Sequence, residues 1–160
     1  MIFPIHLSGA AKPAFVLVAT HGLTDLDSLA WVAPYSTLAL LPLPTEGVTA
    51  LFCAASVYHF AADGGPFWSL TVHTAVLVIG LLFGVQTAFM AMLAYLALIH
   101  VPGHYVRCVR RGRGRAVQMA LAVGVATALF VILTPEIDLA FGDSLQKLVV
   151  AHVLVEAGKS

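Results

Sequence analysis

The chain has 160 residues, of which 60% are hydrophobic and 10% charged, with a formal net charge of zero. A soluble domain carries about 25% charged residues, so this composition excludes an ordinary soluble fold. It points to one integral membrane domain, residues 1–160, with room for about seven transmembrane helices, or six, at about 20 residues per span. A β-barrel needs alternating apolar and polar positions, and runs such as Ala75-Val76-Leu77-Val78-Ile79 do not alternate. The expected fold is therefore an all-α polytopic membrane helix bundle.

Residues 1–12 form a short lead with Pro4, His6 and Lys12 and no small-residue cleavage site, so no cleavable signal peptide is expected. The first apolar segment runs from Ala14 to about Leu26 and carries His21, Thr24 and Asp25 near its end. Ser28 can cap the second, roughly Leu29–Leu41, which is short for a span and contains Pro34. After a turn at Pro42 and Pro44, the third runs from Gly47 to about Ala62 and stops at Gly64-Gly65-Pro66. The fourth covers about Phe67–Phe83, with His73 in its second turn. Gly80 and Gly84 have the spacing of a small-xxx-small helix contact.

The fifth segment, about Val85–Arg110, contains Pro102, which predicts a kink or a break. The sixth is about Ala116–Leu133, and the seventh, about Leu139–Ala157, ends in His152 and Glu156. Trp31 and Trp68, near segment ends, fit interface anchors. Cys53 and Cys108 make neither a disulfide framework nor a zinc motif. Arg107, Arg110, Arg111, Arg113 and Arg115 lie between long apolar runs. That is a positive-inside signal and not a nucleic-acid patch, so the Arg107–Arg115 loop is expected on the cytoplasmic side. A lipid-headgroup site is the lesser reading of the same charges.

His100 and His104 are four residues apart and share a helical face. Imidazole is costly in hydrocarbon unless something holds it, so the pair points to a metal or a haem. The plainer reading is a helix end where both rings meet headgroups and water. The same step recurs with carboxylates, in His21/Asp25, His59/Asp63 and His152/Glu156. A ligating histidine usually passes its other N–H to a carboxylate or carbonyl. Asp25 and Asp63 are placed to receive it from His21 and His59. The alternative is a buried polar pair joining helices, worth roughly 1 kcal/mol. If all seven segments cross, His21, His59, His100, His104 and His152 fall late in odd-numbered segments and gather at one depth. His73 comes near the same level, so His152 and His73 are possible additional ligands. Glu156, close to the chain end, is expected in water. Phe52, Phe60 and Tyr95 can line an apolar tunnel or simply pack.

The ordered set Thr20-His21-Gly22-Leu23-Thr24-Asp25, Ser56-Val57-Tyr58-His59-Phe60-Ala61-Ala62-Asp63 and His100-Val101-Pro102-Gly103-His104 resembles the Brp/Blh family of membrane β-carotene 15,15'-dioxygenases. Ala151-His152-Val153 also looks like that family's Pro-His-aliphatic stretch. Ala61, Gly103 and Ala151 stand where the family often has glycine, arginine and proline, and the chain is shorter than the family's usual length. The resemblance implies an oxygenase that splits the central double bond of β-carotene with O2 into two retinals. It implies Fe(2+) held by four histidines, which by motif are His21, His59, His100 and His104. The partners implied are the carotenoid, O2 and membrane lipids, with no nucleic acid. Two other functions are compatible with the residues. One is a bis-histidine haem b electron-transfer protein, although a pair on one helix would meet the same side of the ring. The other is a non-catalytic carotenoid- or retinoid-binding relative. A di-iron desaturase needs a His-x-x-His-His box, which this chain lacks.

Overall fold

Where water is scarce, each backbone N–H and C=O must bond within its own segment, and apolar runs become helices. In the computed structural model, residues 11–26, 29–42, 44–134 and 141–159 are described. Among the described residues the regular elements are all helical. They are α1 (Ala11–Thr20), α2 (Leu29–Leu40), α3 (Thr45–Gly64), α4 (Pro66–Phe83), α5 (Val85–Arg110), α6 (Gly114–Leu133) and α7 (Phe141–Lys159). Three of the seven, α4, α5 and α6, are long and apolar enough to cross a membrane. The expectations for His6 and Ser28 fall outside the described residues.

The first segment does not stay α-helical to Leu26. It tightens at His21–Asp25 into a 3₁₀ turn. With 12 residues, α2 reaches about 18 Å at 1.5 Å per residue. That is short of a hydrocarbon core about 30 Å thick.

Pro102 neither breaks nor ends α5. The helix absorbs it by widening into a π turn at Leu96–His100, where the Val101 N–H bonds the Leu96 carbonyl, five residues back. It then continues as α-helix from Val101 to Arg110. Such bulges frequently mark functional positions, and this one ends on His100. The corners before and after α4 are single glycines, Gly65 at φ 86° and Gly84 at φ 88°, a conformation that costs glycine no Cβ clash. Gly84 is therefore a corner and not half of a helix-packing pair. Gly80 alone meets α5, where an added Cβ would stand 3.4 Å from that of Ala88.

α7 packs against α2 and α3 and reaches the 3₁₀ turn, while α1 packs mainly on α6. Phe15, Val18, Leu93 and Val101 form one buried apolar cluster between α1 and α5. Tyr35, Ala151 and Val155 form another between α2 and α7. Between these clusters lie the buried polar groups.

Candidate metal centre

Five histidines converge there: His21 from the 3₁₀ turn, His59 from α3, His100 and His104 from α5, and His152 from α7. All five are buried. Their rings meet edge to face, with centroids 4.5 Å apart for His21/His152, 4.8 Å for His59/His100 and 5.0 Å for His59/His152. Two overlapping triads can hold a metal ion, His21/His59/His152 and His59/Asp63/His100. His59 belongs to both.

The outer nitrogens explain how the rings are aimed. His21 Nδ1–H donates to the Val18 carbonyl, and His152 Nδ1–H donates to the Asp25 carboxylate. His59 Nδ1 lies 3.0 Å from a Glu156 oxygen, and His100 Nδ1 lies 3.5 Å from Asp63 Oδ2. His21 and His152 thus give Nδ1–H to an oxygen acceptor and turn Nε2 inward, while His59 and His100 have a carboxylate oxygen near Nδ1 and face each other through Nε2. A carbonyl or carboxylate behind a ligating imidazole fixes its tautomer in this way.

The inner nitrogens form the test of whether a metal fits. His21 Nε2 and His152 Nε2 are buried with no hydrogen-bond partner, and a buried polar atom left so is destabilising. The Nε2 atoms of His59 and His100 face each other at 3.1 Å. Two imidazole nitrogens on one ion, each about 2.1 Å from it and near a right angle, lie about 3 Å apart. The residues fit a metal ion that prefers nitrogen donors, such as iron, zinc or copper.

Asp25 serves a different histidine from the one expected. It accepts from His152 on α7 and not from His21, which lies one turn before it. Asp63 lies 3.8 Å from His59 Nε2 and nearer to His100, and it accepts 2.7 Å from Arg107 Nη2. His104 Nε2 is 2.9 Å from Thr24 Oγ1 and 3.3 Å from Cys108 Sγ. His73 stands apart from both triads. Its Nδ1–H donates 2.7 Å to the Ser69 carbonyl, and its ring lies on Phe60, which separates it from His100.

Three contributors escaped the sequence reading. Glu156, expected in water, reaches His59. Arg107 pairs with Asp63, and Arg113 Nη2 donates 2.5 Å to the Thr24 carbonyl and lies 3.8 Å from Asp25 Oδ1. The arginine run reads in the sequence as a topology signal, and nothing in its spacing says that two of its members reach back to the site.

Two cavities meet at His59. One, of about 50 Å³, is lined by Phe15, Phe52, Phe60, Met92 and Leu96 and by His21, His59, His100 and His152. The other, of about 290 Å³, is polar and includes Asp25, Asp63, Arg107, Arg113 and Glu156. The centre thus has an apolar side and a charged side. No family model, curated protein or solved structure matches this chain.

Proposed function

We propose that the protein is an iron-dependent membrane oxygenase that cleaves a carotenoid, β-carotene to retinal, with O2. The observation that carries the reading is the buried set of inward-facing imidazole nitrogens beside an apolar cavity. The resemblance of the His21, His59 and His100/His104 motifs supplies the substrate class. His21, His59 and His100 hold the iron, with a fourth imidazole from the two beside them, His104 or His152. When bound, iron supplies the one-electron chemistry that lets O2 react with a closed-shell polyene.

The chain's own residues do the rest. Val18 and Asp25 hold His21 and His152 in one tautomer, and Asp63 and Glu156 set a negative charge beside His100 and His59. Phe15, Phe52, Phe60 and Met92 exclude water and offer the polyene an apolar wall. The cavity of about 50 Å³, at about 10–15 Å³ per water-sized molecule, has room for a few such molecules and so for O2. In this reading α4, α5 and α6 cross the bilayer, and the Arg107–Arg115 loop faces the cytoplasm.

The test is elemental analysis of the purified protein together with retinal measured in carotene-producing cells. Iron near one equivalent and retinal formation are expected, both abolished by His100→Ala. Retinal that persists in His100→Ala would remove the assignment. Bound pigment with no iron and no turnover would make the protein a carotenoid-binding relative.

A further inference from the structure

We infer that His152, and not His104, supplies the fourth imidazole of the metal site, and that Asp25 is the positioning residue that holds its ring. The inference rests on the metal reading above and adds to it a ligand from α7.

Proton bookkeeping separates the two histidines. Thr24 Oγ1 has one proton, which it donates 2.8 Å to the His21 carbonyl. The same oxygen lies 2.9 Å from His104 Nε2. With its proton committed, it can only accept there, so His104 Nε2 carries the hydrogen of that contact. That nitrogen then has no lone pair for a metal, and the ring's remaining lone pair lies on Nδ1. Nor does His104 enter either triad. It holds Thr24, and through Thr24 the backbone of the 3₁₀ turn that carries His21.

His152 is in the opposite state. Its Nδ1–H goes to Asp25, so its Nε2 keeps the lone pair. That Nε2 is buried without a hydrogen-bond partner and belongs to the triad with His21 and His59. The side chain is 1% exposed, so water does not solvate it in place of a partner. The backbone is shaped to admit this ring. A Cβ on Gly22 would stand 2.7 Å from His152 Cβ and 2.9 Å from its Cγ. Glycine next to His21 therefore lets α7 come close enough to seat His152. On the far side of Asp25, Arg113 lies 3.8 Å from Oδ1, which favours the ionised carboxylate as acceptor.

The experiment uses the full chain in detergent, stripped of metal and titrated with Fe(II), with Co(II) as the spectroscopic probe. His152→Ala is expected to weaken Fe(II) binding by about 100-fold or more, and His104→Ala by about threefold or less. Imidazole added to His152→Ala should fill the space left by the ring and restore binding, which a merely misfolded variant would not allow. Asp25→Asn should cost about 10-fold to 100-fold in affinity and shift the visible Co(II) bands. Full binding in His152→Ala, or a loss that imidazole does not restore, overturns the inference. So does loss in His104→Ala that exceeds the loss in His152→Ala. All three of these leave the metal reading standing, whereas wild-type protein that takes up neither Fe(II) nor Co(II) overturns the metal reading and the inference together.

Discussion

α4 and α7 are both largely apolar helices of similar length, 18 and 19 residues, yet they do opposite jobs. Among the described residues, α4 packs mainly on its chain neighbours α3 and α5. Its buried residues are Ser69 and Val72, while Leu81 is 78% exposed and Phe67, Leu77, Leu82 and Phe83 are exposed with it. α7 buries Val150, Ala151, His152, Val153 and Val155 against α2, α3 and the 3₁₀ turn. In water this would be an inverted design, with a polar histidine inside and leucines outside. In hydrocarbon it is sound. Lipid tails are as apolar as leucine, so apolar side chains gain little by turning inward, and polar groups gather where they find each other. The polar residues, not the apolar ones, decide which helix is central.

The largest effect comes from removing the histidine that the two triads share. His59→Ala takes a donor from both groups and removes the nearer of the two imidazoles beside Glu156. Iron content should fall below a tenth of an equivalent, with loss of retinal formation, while circular dichroism stays helical. Elemental analysis decides it, and a variant that keeps its iron would show that the two triads are not one centre. The matching change on α4 is Leu77→Arg, on an exposed apolar face. Arginine near the middle of a span costs about 2.5–3.5 kcal/mol of insertion. Insertion scored by glycosylation mapping should drop sharply, with normal iron in whatever fraction inserts. Unchanged insertion would mean that α4 does not face lipid.

The two regions were unequally legible in the sequence. Three candidate spans were readable because hydropathy over about 20 residues is what crossing lipid requires, and α4, α5 and α6 sit within a few residues of the expected limits. His21, His59, His100, His104 and His152 do gather, but the parity argument that pointed there needs all seven segments to cross, and among the described residues only α4, α5 and α6 are long and apolar enough. The pairing inside the cluster was not readable. His21 and Asp25 have helical i, i+4 spacing, but a 3₁₀ turn replaces the α-helix there and sends Asp25 to His152, 127 residues away. Glu156 looked solvated because it is near the chain end, whereas α7 carries it to His59. Pro102 suggested a break because a missing N–H usually ends a helix, and only the fold shows the π turn that absorbs it.

A smaller effect probes how tightly α7 is held. Gly22→Ala puts a methyl group 2.7 Å from His152 Cβ. Neither partner can yield by a simple rotation, because one contact atom is a Cβ fixed to its backbone. Overpacking of this kind costs about 1–3 kcal/mol. Thermal unfolding in detergent should move down, with weaker iron binding as His152 is displaced. Gly80→Ala, on the α4 side, meets only ordinary contact at 3.4 Å from Ala88 Cβ and should leave both readouts nearly unchanged. Equal effects from the two glycines would contradict the contrast between a tightly packed α7 and a loosely covered α4.

The smallest effect lies at the charged side of the centre. Arg107 Nη2 donates 2.7 Å to Asp63, but the Arg107 side chain is 39% exposed and that of Asp63 only 17%. Arg107 can therefore return to water when its partner is lost, whereas Asp63 also lies against His59 and His100. Arg107→Ala should lower stability by less than about 1 kcal/mol, as exposed ion pairs do, with iron affinity almost intact. Asp63→Ala removes the oxygen behind His100 and should weaken iron about tenfold. Salt offers a second handle, because it screens pairs open to solvent and leaves buried ones nearly untouched. Raising it from 0.1 M to 1 M should erase the stability difference between wild type and Arg107→Ala. The iron deficit of Asp63→Ala should persist. If the deficit also vanished with salt, Asp63 would be acting only as a surface charge, and the boundary between the wet mouth and the dry centre would lie inside His100.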